Sequence, residues 1–90
     1  MPRTLTEATV RTIYRETLDE LYGVVSRRCE GDRELTEDVV QEAWLRALRA
    51  WQSDGVPDVP IAWLITVSLR ILSNHRRRKT EGHLDDESWD

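Results

Sequence analysis

Two interruptions in the chain limit its fold more than any other feature of the sequence. The first is Gly31 followed directly by Asp32, and the second is segment 52–60, which contains two prolines and one glycine. Glycine often follows the last turn of a helix, aspartate often caps the next one, and prolines with glycine break regular structure. Between the interruptions, apolar residues recur at intervals of three and four without the alternation typical of a strand. The sequence therefore predicts an all-α, compact three-helix domain.

The expected helix boundaries follow from capping residues and from the apolar pattern. We expect the first helix to begin at Thr4, whose hydroxyl would cap it while Glu7 reaches back. Its apolar stripe comprises Val10, Ile13, Tyr14, Leu18, Leu21, Tyr22 and Val25. The second helix is expected over 33–51, and the third from Pro60 to about Lys79. Residues 1–79 are then one domain, and residues 80–90 an acidic tail or the start of an interdomain linker.

The second helix has an inner and an outer face when its residues are placed at about 100° intervals. The inner face, expected in the core, comprises Thr36, Val39, Val40, Ala43, Ala47 and Trp51. The outer face comprises Glu37, Asp38, Gln41, Glu42 and Arg49, with Leu45 and Leu48 among them. Single exposed leucines are common. Apolar side chains ringed by acids are also typical of a partner-helix contact, which is the hypothesis we favour.

The third helix divides in the same way. The inner face comprises Ile61, Leu64, Ile65, Ser68, Ile71, Leu72 and His75, which we expect to be buried or at the edge of the core. The outer face comprises Trp63, Thr66, Arg70, Ser73, Asn74 and Arg77. Aromatic, hydroxyl, amide and guanidinium groups are the side chains that contact bases and phosphates. The alternative is a solvated helix face with one tryptophan.

The net charge of −4 is unevenly distributed. Residues 1–69 carry eight basic and twelve acidic residues, residues 70–79 carry five basic and no acidic residues, and residues 80–90 carry five acidic and no basic residues. A basic cluster within an acidic chain indicates a localised site for an anion rather than general coating of nucleic acid.

Other classes of protein find little support in the sequence. No Cys–His pairing, HExxH motif or glycine-rich phosphate loop is present, so we predict no catalytic residue, no cofactor and no metal site. A single cysteine, Cys29, fits a reducing compartment. No apolar run approaches the roughly 18 residues of a membrane span. We therefore expect a cytoplasmic protein that is neither an enzyme nor bound to a membrane.

Two motifs in the second and third helices carry a resemblance to a known family. The segment Glu37-Asp-Val-Val-Gln-Glu42 is followed about twenty residues later by Ala62-Trp-Leu and then by the basic run. In this combination the chain resembles, over about residues 10–79, region 2 of the extracytoplasmic-function (ECF) group of sigma-70 family transcription initiation factors. The resemblance implies recognition and melting of the promoter minus-ten element within the RNA polymerase holoenzyme.

The resemblance also implies roles for individual residues. The clamp helices of the largest subunit of RNA polymerase core would contact the outer face of the second helix: Asp38, Gln41, Glu42, Leu45 and Arg46, to which the helical pattern adds Leu48. The loop that opens the promoter would comprise Asp54, Gly55, Val56, Pro57 and Asp58. Non-template DNA would be bound by Trp63, Thr66, Arg70, Ser73, Asn74, Arg77 and Arg78. An anti-sigma factor is a candidate further partner for which the sequence indicates no residues.

The chain also departs from the family pattern. Arg70 stands where asparagine is common, Asn74 where aspartate is common, and Arg76 where an apolar residue is usual. No second DNA-binding domain follows, so we favour a domain excised from a longer chain over a natural one-domain relative. Two other functions stay open. A free-standing helix-turn-helix regulator predicts a turn of three or four residues where about nine are expected here, and a purely protein-binding module would leave the third helix unused.

Overall fold

A computed structural model describes the backbone of residues 4–89 and the side chains of residues 4–78. Three α-helices, α1 (Glu7–Arg28), α2 (Arg33–Asp54) and α3 (Pro60–Trp89), each pack against the other two. The predicted all-α, three-helix fold is confirmed. Within the described residues, no helix combines the length and apolar character needed to cross a membrane.

The ends of α1 are set by side-chain caps. The hydroxyl of Thr6 accepts a hydrogen bond of 3.1 Å from the backbone N–H of Thr9, so the helix begins at Glu7. The prediction of a cap at Thr4 is wrong, because Thr6 offers the same hydroxyl one residue before the helix. At the other end, Gly31 adopts a φ of 81° and Asp32 caps α2 by accepting from the N–H of Leu35 at 3.1 Å. The predicted cap at Asp32 is confirmed, whereas α1 already ends at Arg28 and the left-handed part of the turn includes Glu30, with a φ of 56°, as well as Gly31.

The other two helices are longer than expected. Helix α2 continues three residues past Trp51, and Gly55, with a φ of 85°, ends it while donating its N–H to the Trp51 carbonyl at 2.9 Å. Helix α3 begins at Pro60 as predicted and continues to Trp89, ten residues past the predicted end. Residues 80–89 contain no proline to break the helix. Side chains from Lys79 onward and all of Asp90 lie outside the described residues, and the domain boundary at residue 79 stays a prediction.

Each helix contributes a stripe of residues to one core. All six predicted inner residues of α2 are buried: Thr36, Val39, Val40, Ala43, Ala47 and Trp51. The stripes of α1 (Ile13, Thr17, Leu21 and Val25) and of α3 (Leu64, Ser68 and Leu72) recur every four residues. Thr17 was not predicted in the core. Its buried hydroxyl has a hydrogen-bond partner, because it donates to the backbone carbonyl of Ile13 at 2.7 Å.

Two residues expected at the core lie outside it. Tyr14 is 45% exposed, because the buried stripe of α1 is centred on the neighbouring Ile13. His75 is exposed, so its expected place at the edge of the core is wrong. The reason is that Leu72 is the last buried residue among the described side chains of α3.

Candidate nucleic-acid interface

The outer face of α2 presents the residues that the sequence singled out for a protein partner. Asp38, Gln41, Glu42, Leu45 and Arg46 are all exposed, and Leu45 is 52% exposed. Arg46 donates two hydrogen bonds, of 3.1 and 2.9 Å, to one carboxylate oxygen of Glu42. An exposed pair one helical turn apart adds only about 0.3–0.5 kcal/mol to stability. The pair therefore adds little to the stability of the fold.

Leu48 differs from this expectation. Its side chain is partly buried, so it is not a second exposed apolar side chain beside Leu45. Leu48 lies about 40° around the helix from Trp44, which is only 7% exposed. The sequence did not predict Trp44 in the core. Its burial shows that the rest of the domain covers a wider arc of α2 than predicted.

The outer face of α3 is a continuous polar stripe. Thr66, Arg70, Ser73 and Arg77 are exposed and follow one another at intervals of four, three and four residues, which places them on one side of the helix. Arg78 is also exposed, on the side that faces α2. The predicted exposure of these five side chains is confirmed.

Asn74 lies deeper than the rest of the stripe. It is partly buried in a crevice of about 180 Å³ between α2 and α3, which Asp38, Glu42 and Arg78 also line. Its side-chain oxygen accepts a hydrogen bond of 3.5 Å from Arg77. The surfaces predicted to bind polymerase and DNA therefore meet at this crevice.

The loop between α2 and α3 encloses a pocket. Asp54 is the last residue of α2, Pro57 is partly buried and Asp58 is exposed, whereas Val56 is only 1% exposed. The side chain of Val56 thus belongs to the core and does not reach the surface as the sequence suggested, because the positive φ of Gly55 turns the chain back onto the helices. The pocket has a volume of about 400 Å³ and is lined by Ala50, Trp51, Asp54, Gly55, Val56, Pro57, Asp58 and Trp63.

Trp63 forms one wall of this pocket. It is partly buried and packs edge-on against Trp51, with ring centroids 5.3 Å apart and planes at 65°. Its side chain is therefore less exposed than expected for the outer face, because the large indole gains more by packing against the core than by facing solvent. Trp63 is also one of the residues that line the pocket.

The charges around the pocket limit what can enter it. Asp54 and Asp58 line it, and its lining contains no lysine or arginine. Carboxylates repel a phosphate and accept hydrogen bonds from amino groups. The pocket therefore disfavours an anionic group and can accept hydrogen bonds from N–H donors.

Comparison with known families identifies the domain. Residues 13–81 match the model of sigma-70 region 2. The chain belongs to this family. Region 2 of sigma-70 factors binds RNA polymerase core and takes part in promoter recognition, and it is not a family of enzymes. No curated protein and no solved structure matches the chain.

One surface feature of this region 2 domain was missed in the sequence. A groove of about 700 Å³ runs between α1 and α2, lined by Tyr14, Leu18, Asp19, Tyr22, Gly23, Glu37, Val40, Gln41 and Trp44. The signal was present, because Tyr14, Leu18 and Tyr22 recur every four residues, one position beyond the buried stripe of α1.

The described side chains of the region 2 domain include no cluster of three or more histidine, cysteine, aspartate or glutamate residues arranged to hold a metal ion. Cys29 is buried and has a free thiol.

Proposed function

We propose that this region 2 domain is of the ECF type and that it recognises and melts the promoter minus-ten element within the RNA polymerase holoenzyme. The observation that carries the proposal is the position of the loop pocket. Trp63 lines it near the start of α3, one turn before Thr66, at the end of the exposed polar stripe. One DNA strand can therefore place an unpaired base in the pocket and its neighbouring nucleotides along α3.

The pocket offers the interactions that an unpaired base needs. Flipping a base out of a duplex costs a few kcal/mol, which contacts to the base must offset. Stacking on an aromatic side chain is worth about 1–3 kcal/mol per base, and the open face of Trp63 is the candidate. Asp54 and Asp58 can accept hydrogen bonds from the exocyclic amino group of adenine or cytosine.

The number of cations near the pocket favours a single strand over a duplex. The described part of α3 carries four exposed arginines: Arg70, Arg76, Arg77 and Arg78. Electrostatic affinity for duplex DNA grows with the number of phosphates neutralised, so this set supports only weak duplex binding. Base capture then supplies the remaining affinity.

The outer face of α2 is proposed to bind the clamp helices of the largest polymerase subunit. Leu45 is an exposed apolar side chain surrounded by Gln41, Glu42 and Arg46, an arrangement typical of helix-to-helix contacts. This surface lies on α2 and the stripe lies on α3, and the two meet at the crevice lined by Asp38, Glu42 and Asn74, so polymerase and DNA would be bound side by side.

A free-standing helix-turn-helix regulator is the main alternative. Only five residues, 55–59, separate α2 from α3, whereas about nine were expected. A loop of five residues is close to the three or four of a helix-turn-helix, so its length argues less strongly against this alternative than the sequence indicated. The charge of α3 argues against it instead. Recognition helices contact DNA with their N-terminal residues, but Arg70 is the first lysine or arginine of α3.

Titration with fluorescently labelled oligonucleotides tests the proposal. The domain should bind a single strand of non-template minus-ten sequence at least about ten-fold more tightly than the same sequence as a duplex, and Trp63→Ala should narrow that ratio because a stacking contact is lost. Arg78→Ala should weaken both substrates to a similar extent, because it removes a phosphate contact. Because Trp63 is partly buried, circular dichroism of its variant is compared with that of the parent to check that the variant folds. Asp58 is exposed on the rim of the pocket, and Asp58→Asn tests its contribution to binding. Tighter, sequence-specific binding to the duplex would favour the helix-turn-helix alternative.

A further inference from the structure

The buried stripe of α3 has an unusual continuation. Leu64, Ser68 and Leu72 are four residues apart and at most 3% exposed, and Arg76 takes the next place in the same series. Asn74 and the residues after it lie beyond the last apolar contact of the described part of α3. The orientation of these turns therefore depends on an anchor other than the core.

Arg76 provides such an anchor. Its guanidinium Nη2 donates a hydrogen bond to the backbone carbonyl of Arg28, 48 positions earlier in the chain. Arg28 is the last residue of α1, and the final carbonyls of a helix lack helical N–H partners and carry partial negative charge. The contact thus joins the end of α1 to α3 one turn beyond the core.

The surroundings of Arg76 are acidic. It lines a cavity of about 500 Å³ at the turn between α1 and α2, together with Glu30, Asp32, Glu34 and Asp38. Four carboxylates line the same cavity as this one guanidinium, and carboxylates repel a DNA phosphate. Arg78, in the same basic run, lines a crevice with only two carboxylates, those of Asp38 and Glu42, so the two arginines differ in the number of acidic neighbours.

We propose that Arg76 is a positioning residue that binds the α1–α2 turn and not DNA. By fixing the last described turns of α3, it orients Asn74 and Arg77 and so contributes to base discrimination rather than to charge-driven affinity. The effect on DNA rests on the proposed function, whereas the contact with the turn does not. The contact also accounts for an arginine at the apolar position, since a polar anchor here replaces an apolar one.

The salt dependence of DNA binding separates the two kinds of arginine. Arg76→Ala, Arg76→Lys and the matched control Arg78→Ala are compared in the whole chain, with single strands of minus-ten and scrambled sequence. Arg78→Ala should lower the slope of log K against log salt by about 0.7, the value for one phosphate contact on a single strand. It should not change discrimination, the ratio of the affinities for the minus-ten and scrambled strands. Arg76→Ala should leave the slope unchanged and reduce discrimination about three- to ten-fold, which corresponds to one hydrogen bond. Arg76→Lys should restore most of it, because an ammonium group can also donate to a carbonyl.

Amide hydrogen exchange tests the contact without DNA. Gly31 and Asp32 donate their backbone N–H groups to the carbonyls of Ser26 and Cys29, at 3.0 Å each, within the turn that Arg76 contacts. Their exchange should accelerate at least three-fold in Arg76→Ala and stay unchanged in Arg78→Ala. Exposed arginines rarely decide folding, so both variants should retain the parent's circular dichroism.

The outcomes distinguish this inference from the proposed function. If the parent shows no preference for the minus-ten strand, the proposed function fails, and exchange at Gly31 and Asp32 still decides whether Arg76 anchors the turn. Equal exchange in Arg76→Ala and the parent would overturn the inference. It would also be overturned if Arg76→Ala lowered the salt slope as Arg78→Ala does, because Arg76 would then be an ordinary phosphate contact.

Discussion

Replacing Leu45 with alanine should weaken binding to RNA polymerase core without destabilising the domain. Complete burial of a leucine side chain is worth about 1.5–3 kcal/mol. Leu45 is 52% exposed, so a partner that covers it gains about half of this value, or ~0.8–1.5 kcal/mol. That gain corresponds to about a four- to twelve-fold increase in Kd on substitution. Fluorescence anisotropy of the labelled domain titrated with core enzyme, without DNA, measures the change.

Two further variants make this result decisive. Val59→Ala is the matched control, because Val59 is 57% exposed but lies in the loop, and its Kd should equal that of the parent. Leu64→Ala removes a fully buried leucine and should cost about 2–5 kcal/mol, whereas Leu45→Ala should cost no more than about 0.5 kcal/mol. An unchanged Kd for Leu45→Ala, or a fall in its Tm comparable to that of Leu64→Ala, would refute the assignment of Leu45 to the polymerase contact.

Two predictions concern stability and are measured by thermal unfolding. Asp32→Ala should destabilise the domain by about 0.5–2 kcal/mol, because it removes the hydrogen bond to the Leu35 N–H; an unchanged Tm would mean that the cap adds nothing. Ser68 is fully buried, and its hydroxyl has no hydrogen-bond partner among the described residues. Ser68→Ala should therefore be neutral or stabilising, whereas Ser68→Leu should cost about 1–3 kcal/mol by overpacking. A loss of stability in Ser68→Ala would indicate that the hydroxyl is paired after all.

Features that depend on local chemistry were predictable from the sequence. The turn at Gly31 and Asp32, the start of α3 at Pro60 and the complete inner face of α2 agree with the structure. Each of these depends on backbone conformation, on capping or on the 3.6-residue period, which the residues themselves determine. The exposure of Thr66, Arg70 and Leu45 follows from the same period.

Features that depend on neighbouring helices were not predictable in this way. Trp44 is buried because Tyr14 of α1 covers it, with ring centroids 5.3 Å apart. Val56 and Trp63 are drawn inward by the path of a short loop, and that path creates the pocket. The contact between Arg76 and Arg28 joins positions 48 residues apart, and a helical wheel of α3 contains no information about the end of α1.

The aromatic rings of the domain have an optical consequence. Tyr14, Trp44, Trp51 and Trp63 form a row in which successive ring centroids are 5.3, 5.7 and 5.3 Å apart, from the α1–α2 groove to the loop pocket. At such separations, excitation energy passes between rings faster than it is emitted. Excitation is therefore shared among Trp44, Trp51 and Trp63, and the base that we propose to stack on Trp63 would lower the emission of more than one indole. Because the sequence has a fourth tryptophan, Trp89, this shared response is measured most directly in a Trp89→Phe variant.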